Sequence, residues 1–164
     1  MATFIVPTEW DIIIKFYGDR VAKRSGVPLI NHIWDGFDIL CALKAPDIAK
    51  NAYAIHPLVQ NNEGPDCSHF ESYELACEYR DKANSYLCRP ENDWVYHPDN
   101  LLWMVGKMSA NCRLMLLADK IQNQKDFLIY NSDHPRAREL TEYFFNWLNY
   151  LRDEKFCVNG TSCV

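Results

Sequence analysis

Apolar residues recur every three to four positions along most of this chain, which is the spacing of amphipathic helices. No alternating pattern typical of a strand extends beyond four residues, and no internal repeat occurs. The periodic segments cover about residues 9–23, 29–43, 46–59, 69–87, 100–107, 110–129 and 135–155. The pattern predicts an all-α fold, a compact bundle of six or seven helices.

Proline and glycine mark the breaks between these segments. Gly26 and Pro28 separate the first two segments, and Pro46 is placed to open the third helix. Pro57 falls inside that third helix, where a proline must cost a hydrogen bond or cause a kink. We assign residues 1–155 to one helical domain and residues 156–164, which show no periodic pattern, to a C-terminal tail.

The composition is that of a globular protein with one domain. The 164 residues are 48% hydrophobic and 24% charged. The formal net charge of −5 offers no electrostatic footprint for bulk nucleic acid, whereas a small anionic ligand needs only a few local cations. No apolar run approaches the roughly 20 residues of a membrane span. We therefore expect a small-molecule partner or a protein partner, and neither nucleic acid nor a membrane.

Seven cysteines are many for this length, but no two of them form a Cys-x-x-Cys motif. Their spacing disfavours a zinc ribbon or a thioredoxin-type site. The first residues show neither the basic stretch nor the cleavage pattern of a signal peptide. We expect free thiols and a cytoplasmic location.

Three ionisable residues stand in apolar helical surroundings: His32, His56 and Asp119. Burying such groups is costly unless they are paired or bind a metal. Two histidines and one carboxylate suit Mn²⁺, Fe²⁺ or Zn²⁺ and leave positions open for water and phosphate oxygens. Spacing alone leaves an alternative open. Each helix would then carry one polar residue whose hydrogen bonds are satisfied within the core.

Two motifs resemble the RelA/SpoT-type hydrolase domain of the HD superfamily of metal-dependent phosphohydrolases. They are KRSGVPLINH at residues 23–32 and LLADKIQN at residues 116–123. AYAIH at residues 52–56 occupies the place of the family's central His-Asp motif, 24 residues after His32. The order and spacing of these motifs are similar to the family's over about residues 10–150.

The resemblance implies a function and roles for individual residues. The implied reaction removes the 3′-pyrophosphate from guanosine tetra- or pentaphosphate, abbreviated (p)ppGpp, or hydrolyses a related phosphoester. The metal would be Mn²⁺ in most members, with Fe²⁺ or Zn²⁺ as alternatives. The implied metal ligands are His32, His56 and Asp119, and the implied nucleotide-binding residues are Lys23, Arg24 and Asn123.

The central motif departs from the family pattern. Pro57 stands in place of the aspartate ligand, and Gln60 and Asn61 stand in place of an acidic pair near the attacking water. Gln60 and Asn61 are therefore the candidate catalytic residues, but an amide can orient water without taking its proton, which costs ~10²-fold or more in rate. Two functions stay open: a phosphohydrolase with an altered metal site, or a catalytically degenerate protein that binds a nucleotide or a protein partner.

Overall fold

The computed structural model describes residues 7–23, 25–87 and 98–152. Within those ranges the chain forms seven α-helices and no strand other than an isolated bridge between Val21 and Pro28. This confirms the predicted all-α bundle. The helices are α1 (Glu9–Tyr17), α2 (Ile30–Ala42), α3 (Asp47–Asn61), α4 (Tyr73–Ser85), α5 (Pro98–Val105), α6 (Ala110–Tyr130) and α7 (Ala137–Arg152).

The first helix is shorter than its periodicity predicts. It ends at Tyr17 because Gly18 turns the backbone to a φ of 50°, and the Gly18 N–H closes the last turn on the Ile14 carbonyl at 2.9 Å. Residues 18–23 and 25–29 then belong to no helix, lead towards α2 and contain the Val21–Pro28 bridge. Val21, which the periodicity placed on the apolar helix face, is 52% exposed.

The fourth helix is also shorter than predicted, since residues 68–72 form turns and α4 begins at Tyr73. The predicted tail at 156–164 lies outside the described residues. In the part of the chain that the structure covers, no helix is long and apolar enough to cross a membrane. The four cysteines described there carry free thiols; they are Cys41, Cys67, Cys77 and Cys112.

Helix α3 runs through the centre of the bundle. It packs against α1, α2, α4 and α6, and residues 52–59 are all buried. A helix that is covered on every side has no solvent face for its polar residues. His56 therefore lies in the core rather than at the surface.

The contact between α2 and α3 depends on Gly36. A Cβ atom at this position would lie 2.1 Å from the hydroxyl oxygen of Tyr53, which is fully buried on α3. The missing side chain lets the two helices approach closely. As a result, the rings of His32 on α2 and His56 on α3 have centroids 5.4 Å apart.

Helix α7 covers the outer side of α6 with the aromatic face that the sequence predicts. Its buried residues are Tyr143, Phe144, Trp147, Leu148 and Leu151. The three helices that meet at the centre are therefore α2, α3 and α6, with α7 as an outer layer next to α6.

Candidate metal centre

Three helices that are distant in sequence each bring one ionisable side chain to the same point. His32 on α2, His56 on α3 and Asp119 on α6 each offer a potential ligand atom, and these atoms lie within 4.8 Å of one another. His56 and Asp119 are 3% and 2% exposed, and the side chain of His32 is 23% exposed. The structure thus brings together the three residues that the sequence singles out.

The ring of His56 is oriented by the backbone of its own helix. Its Nδ1 atom lies 2.6 Å from the carbonyl oxygen of Tyr53. Because a carbonyl only accepts hydrogen bonds, Nδ1 must carry the hydrogen and Nε2 keeps its lone pair. The ring also packs between Tyr53 and Tyr79, with centroids 4.6 and 4.7 Å away.

The ring of His32 is oriented by a side chain of α6. Its Nδ1 donates to the amide oxygen of Gln122 at 2.5 Å, and the amide nitrogen of Gln122 donates to Asp126 at 2.7 Å. Because a carboxylate accepts, Asp126 determines which end of the amide faces His32. Nε2 of His32 then faces Oδ1 of Asp119 at 3.4 Å. Histidines that bind metals usually donate their second N–H to an oxygen in this way.

The charges of the site follow from burial and from close partners. Burial works to raise the pKa of Asp119, but the charge of Lys120, whose Nζ lies 2.9 Å from Oδ2, and the hydrogen bond to His32 hold that pKa well below its usual range. Burial works to lower the pKa of Lys120, and Asp119 raises it overall. Burial and then the neighbouring His32 lower the pKa of His56 to about 4. A carboxylate and a neutral imidazole, the forms that bind metals, are therefore present at neutral pH.

Burial and neighbouring charges also act on the pKa of His32, but their net effect is opposite to that on His56. Burial works to lower the pKa of His32, but its hydrogen bond with Asp119 and the charge of that carboxylate raise the pKa overall. Tyr79 also interacts with Asp119, and burial raises the pKa of Tyr79 well above its ordinary value, so its hydroxyl stays protonated. It can only donate to the carboxylate at neutral pH.

A cavity of about 340 Å³ lies between α6 and α7, and its lining includes Lys120, the ion-pair partner of Asp119. Asn123, the residue expected to contact a nucleotide, therefore shares this cavity with the ammonium of Lys120. The Nζ atom of Lys120 lies 5.7 Å from the ring centroid of Tyr143, which also lines the cavity. The cavity therefore offers a cation, an amide and aromatic faces.

The other predicted site residues are placed less centrally. The Gln60 side-chain amide donates to Asn84 on α4 at 3.1 Å, and Asn61 is exposed near the end of α3. Lys23 is exposed in the loop before α2, and Arg24 lies outside the described residues.

Sequence reasoning missed several residues that shape the site. Lys120 and Gln122 stand inside the 116–123 motif, and their closeness to Asp119 along the helix was the available signal. Tyr79 is indistinguishable in sequence from an ordinary aromatic core residue. Asp126 had no signal at all, because its role depends on the amide of Gln122.

Comparisons with known proteins add no relative: no family model matches the chain, and neither a curated protein nor a solved structure is significantly similar to it. The resemblance to the HD superfamily rests on the motifs at residues 23–32 and 116–123.

Proposed function

We propose that this protein is a divalent-metal-dependent phosphohydrolase of the HD type that acts on a nucleotide such as (p)ppGpp or on a related phosphoester. The observation that supports this best is the convergence of His32, His56 and Asp119, with both Nδ1–H groups already bonded to oxygens. The Nε2 atom of His56, the Nε2 atom of His32 once it gives up its hydrogen bond with Asp119, and one carboxylate form a donor set that leaves positions open for water and substrate. This set fits Mn²⁺, and also Fe²⁺ or Zn²⁺.

A purely structural reading of the cluster explains less. The ion pair between Asp119 and Lys120 is complete without a histidine, since Nζ reaches Oδ2 at 2.9 Å. Oδ1 is instead directed at His32, and His56 comes from a third helix with its Nδ1 engaged elsewhere. Such outer contacts are what orients the ligands of a metal ion.

The chain's own residues supply binding and orientation. A bound divalent ion would supply an acidified water and polarise a phosphoryl oxygen. Lys120 and Asn123 stand on the wall of the cavity between α6 and α7, where an ammonium and an amide can hold phosphate and nucleoside groups. Tyr143 and Phe144 line the same cavity and offer apolar faces to a base.

Binding without turnover is the second candidate function. Pro57, buried directly after His56, carries no carboxylate, and the Gln60 amide is engaged by Asn84. Neither Gln60 nor Asn61 can take a proton from water, so turnover would be ~10²-fold or more below that of a site with a carboxylate base. A protein of this kind would hold a nucleotide, or contact a protein partner, in the same site.

Metal content measured after chelation and reconstitution with Mn²⁺ tests the proposal. We expect about one equivalent in the wild type, and in His69→Gln, which changes an exposed histidine outside the cluster. His56→Gln should lose the metal while keeping the fold by circular dichroism. A wild type without metal under Mn²⁺-replete conditions, or a His56→Gln variant with full metal, contradicts the proposed site.

Turnover then separates the two candidate functions. Phosphate and pyrophosphate release is measured with (p)ppGpp and with simple phosphomonoesters, with and without chelator. Release that the chelator and His56→Gln both abolish supports the hydrolase. Metal binding with a nucleotide-dependent rise in melting temperature, but without release, supports the binder.

A further inference from the structure

The carbonyl of Tyr53 has an unusual partner. In a regular helix it would accept from the backbone N–H of residue 57, four positions later. That residue is Pro57, which has no N–H. The Tyr53 carbonyl accepts instead from Nδ1 of His56, at 2.6 Å.

Two physical effects of the proline lead to this contact. A proline ring inside a helix clashes with the carbonyl four residues earlier, which favours a tilt of that carbonyl away from the helix axis. The carbonyl is also left without its backbone donor in a segment that is fully buried, where an unsatisfied polar group is costly. The imidazole of His56 lies on the same turn and supplies the missing donor.

We propose that Pro57 is a positioning residue that holds His56 as its Nδ1–H tautomer, with Nε2 free to bind a ligand. It does so by withholding the backbone N–H that would compete for the Tyr53 carbonyl. The inference rests on the proposed metal-binding function for its purpose, while the tautomer itself is a property of the metal-free protein. The HD pattern has an aspartate ligand at this position. In this chain the position holds Pro57, which orients the neighbouring histidine instead.

His32 provides an internal comparison, because a different device orients it. Its Nδ1–H is held by the side chain of Gln122 on another helix, not by its own backbone. Changing Pro57 should therefore affect His56 and leave His32 alone. Changing Gln122 to leucine should do the reverse.

The test is Pro57→Ala, which restores the missing N–H. The ring nitrogens of both histidines are assigned by ¹⁵N NMR in metal-free protein at pH 8, and the affinity for Mn²⁺ is measured separately. In the wild type we expect His56 to be fully Nδ1–H. In Pro57→Ala we expect the Nε2–H tautomer to appear and the Mn²⁺ affinity to fall about 10- to 100-fold.

The melting temperature makes the test specific. Alanine is far better than proline inside a helix, so Pro57→Ala should melt no lower than the wild type although it binds metal more weakly. A merely structural proline would not change the tautomer. Pro46→Ala, at the N-cap of the same helix, is the matched control and should change neither the tautomer nor the affinity.

Two results would overturn the inference: an Nε2–H tautomer of His56 in the wild type, or an unchanged tautomer and affinity in Pro57→Ala. The wild-type measurement can overturn the inference even if the variant does not fold. A wild type that binds no metal would refute the proposed function, whereas the tautomers would still report on Pro57.

Discussion

At the scale of single residues, the hydrogen bonds of the two Nδ1 atoms, which point away from the cluster, determine which histidine nitrogen faces its centre. The Tyr53 carbonyl and the Gln122 amide each accept one Nδ1–H, so both histidines present Nε2 to the centre. Asp119 stays ionised because Lys120 and His32 flank its two oxygens. The donor atoms are thereby oriented before any ligand arrives, which lowers the cost of binding.

These protonation states make the stability of the metal-free protein depend on pH. Folding lowers the pKa of His56 from an ordinary 6.5 to about 4. Between these two pH values the unfolded chain binds more protons than the folded chain, so the free energy of unfolding rises with pH, by roughly 3 kcal/mol in all. The raised pKa of His32 acts oppositely: its stabilisation is complete below pH 6.5 and is lost above it. Urea unfolding of the chelated protein should therefore show a maximum in the free energy of unfolding near pH 6.5.

The variant His56→Gln serves as the control for this pH dependence. It should flatten the rise between pH 4 and 6.5 and leave the decline above pH 6.5 in place. If the free energy of unfolding rises equally with pH in His56→Gln and in the wild type below pH 6.5, the fold does not hold His56 neutral.

The buried ion pair predicts a large effect of neutralising Asp119. Lys120 is 5% exposed, and Asp119→Asn would leave its ammonium without a counter-charge, at a cost of about 3–5 kcal/mol in the free energy of unfolding. Adding Lys120→Met should restore most of this loss, while metal binding stays absent in both variants. Urea unfolding measures the stabilities, and a single variant as stable as the wild type would refute the pairing.

At the scale of helices, close contacts of α2 with α3 and α6 decide where the side chains meet. Gly36 lets α2 approach Tyr53 on α3. On the other side, Lys125 of α6 forms ion pairs with Asp35 of α2 and with Asp126, 3.6 Å away. Asp126 also holds Gln122, so the contact between α2 and α6 includes the group that orients His32.

Gly36→Ala should weaken both the fold and the site. Alanine gains about 1 kcal/mol in helix propensity, but a methyl group 2.1 Å from the Tyr53 hydroxyl forces α2 and α3 apart, and overpacking of this kind costs about 1–3 kcal/mol or more. We expect net destabilisation and weaker Mn²⁺ binding, since His32 moves with α2. Adding Tyr53→Leu removes the clashing atoms and should recover stability; failure to recover would locate the strain elsewhere.

At the scale of the whole molecule, the candidate metal centre joins the three helices of the core. Its residues come from α2, α3 and α6, and the cavity that Lys120 lines lies between α6 and α7. A ligand that bridges three core helices binds the folded state and not the unfolded chain. Its binding energy therefore adds to the stability of the bundle.

Mn²⁺ should accordingly raise the unfolding free energy of the whole domain, by about 2.7 kcal/mol at a free concentration of 100 times the dissociation constant. Chemical unfolding followed by helix content, with Mn²⁺ or with chelator, measures this effect. Mg²⁺ is a control ion, because it prefers oxygen ligands and should stabilise less. The His56→Gln variant should show no Mn²⁺ effect, and an equal effect in that variant would place the ion elsewhere.

Helix boundaries show how far local pattern reaches. The periodicity located the seven described helices because most of them bury one face, and burial of one face leaves a mark at every third or fourth residue. It extended the first helix from Tyr17 to residue 23 because Val21 is apolar and falls in phase. The backbone conformation of Gly18 ends the helix there, and hydropathy does not record that conformation.

The sequence by itself determined the helical class, the aromatic inner face of α7 and the three polar residues that stand out against apolar helices, because these depend on neighbours within a turn or two. Tertiary structure alone decided that His32, His56 and Asp119 meet, which nitrogen of each histidine faces the cluster, and that Lys120 shares the carboxylate. The hydrogen bond from His32 to Gln122 joins residues 90 positions apart. Contacts across such a separation depend on how whole helices pack, and no pattern along the chain encodes their geometry.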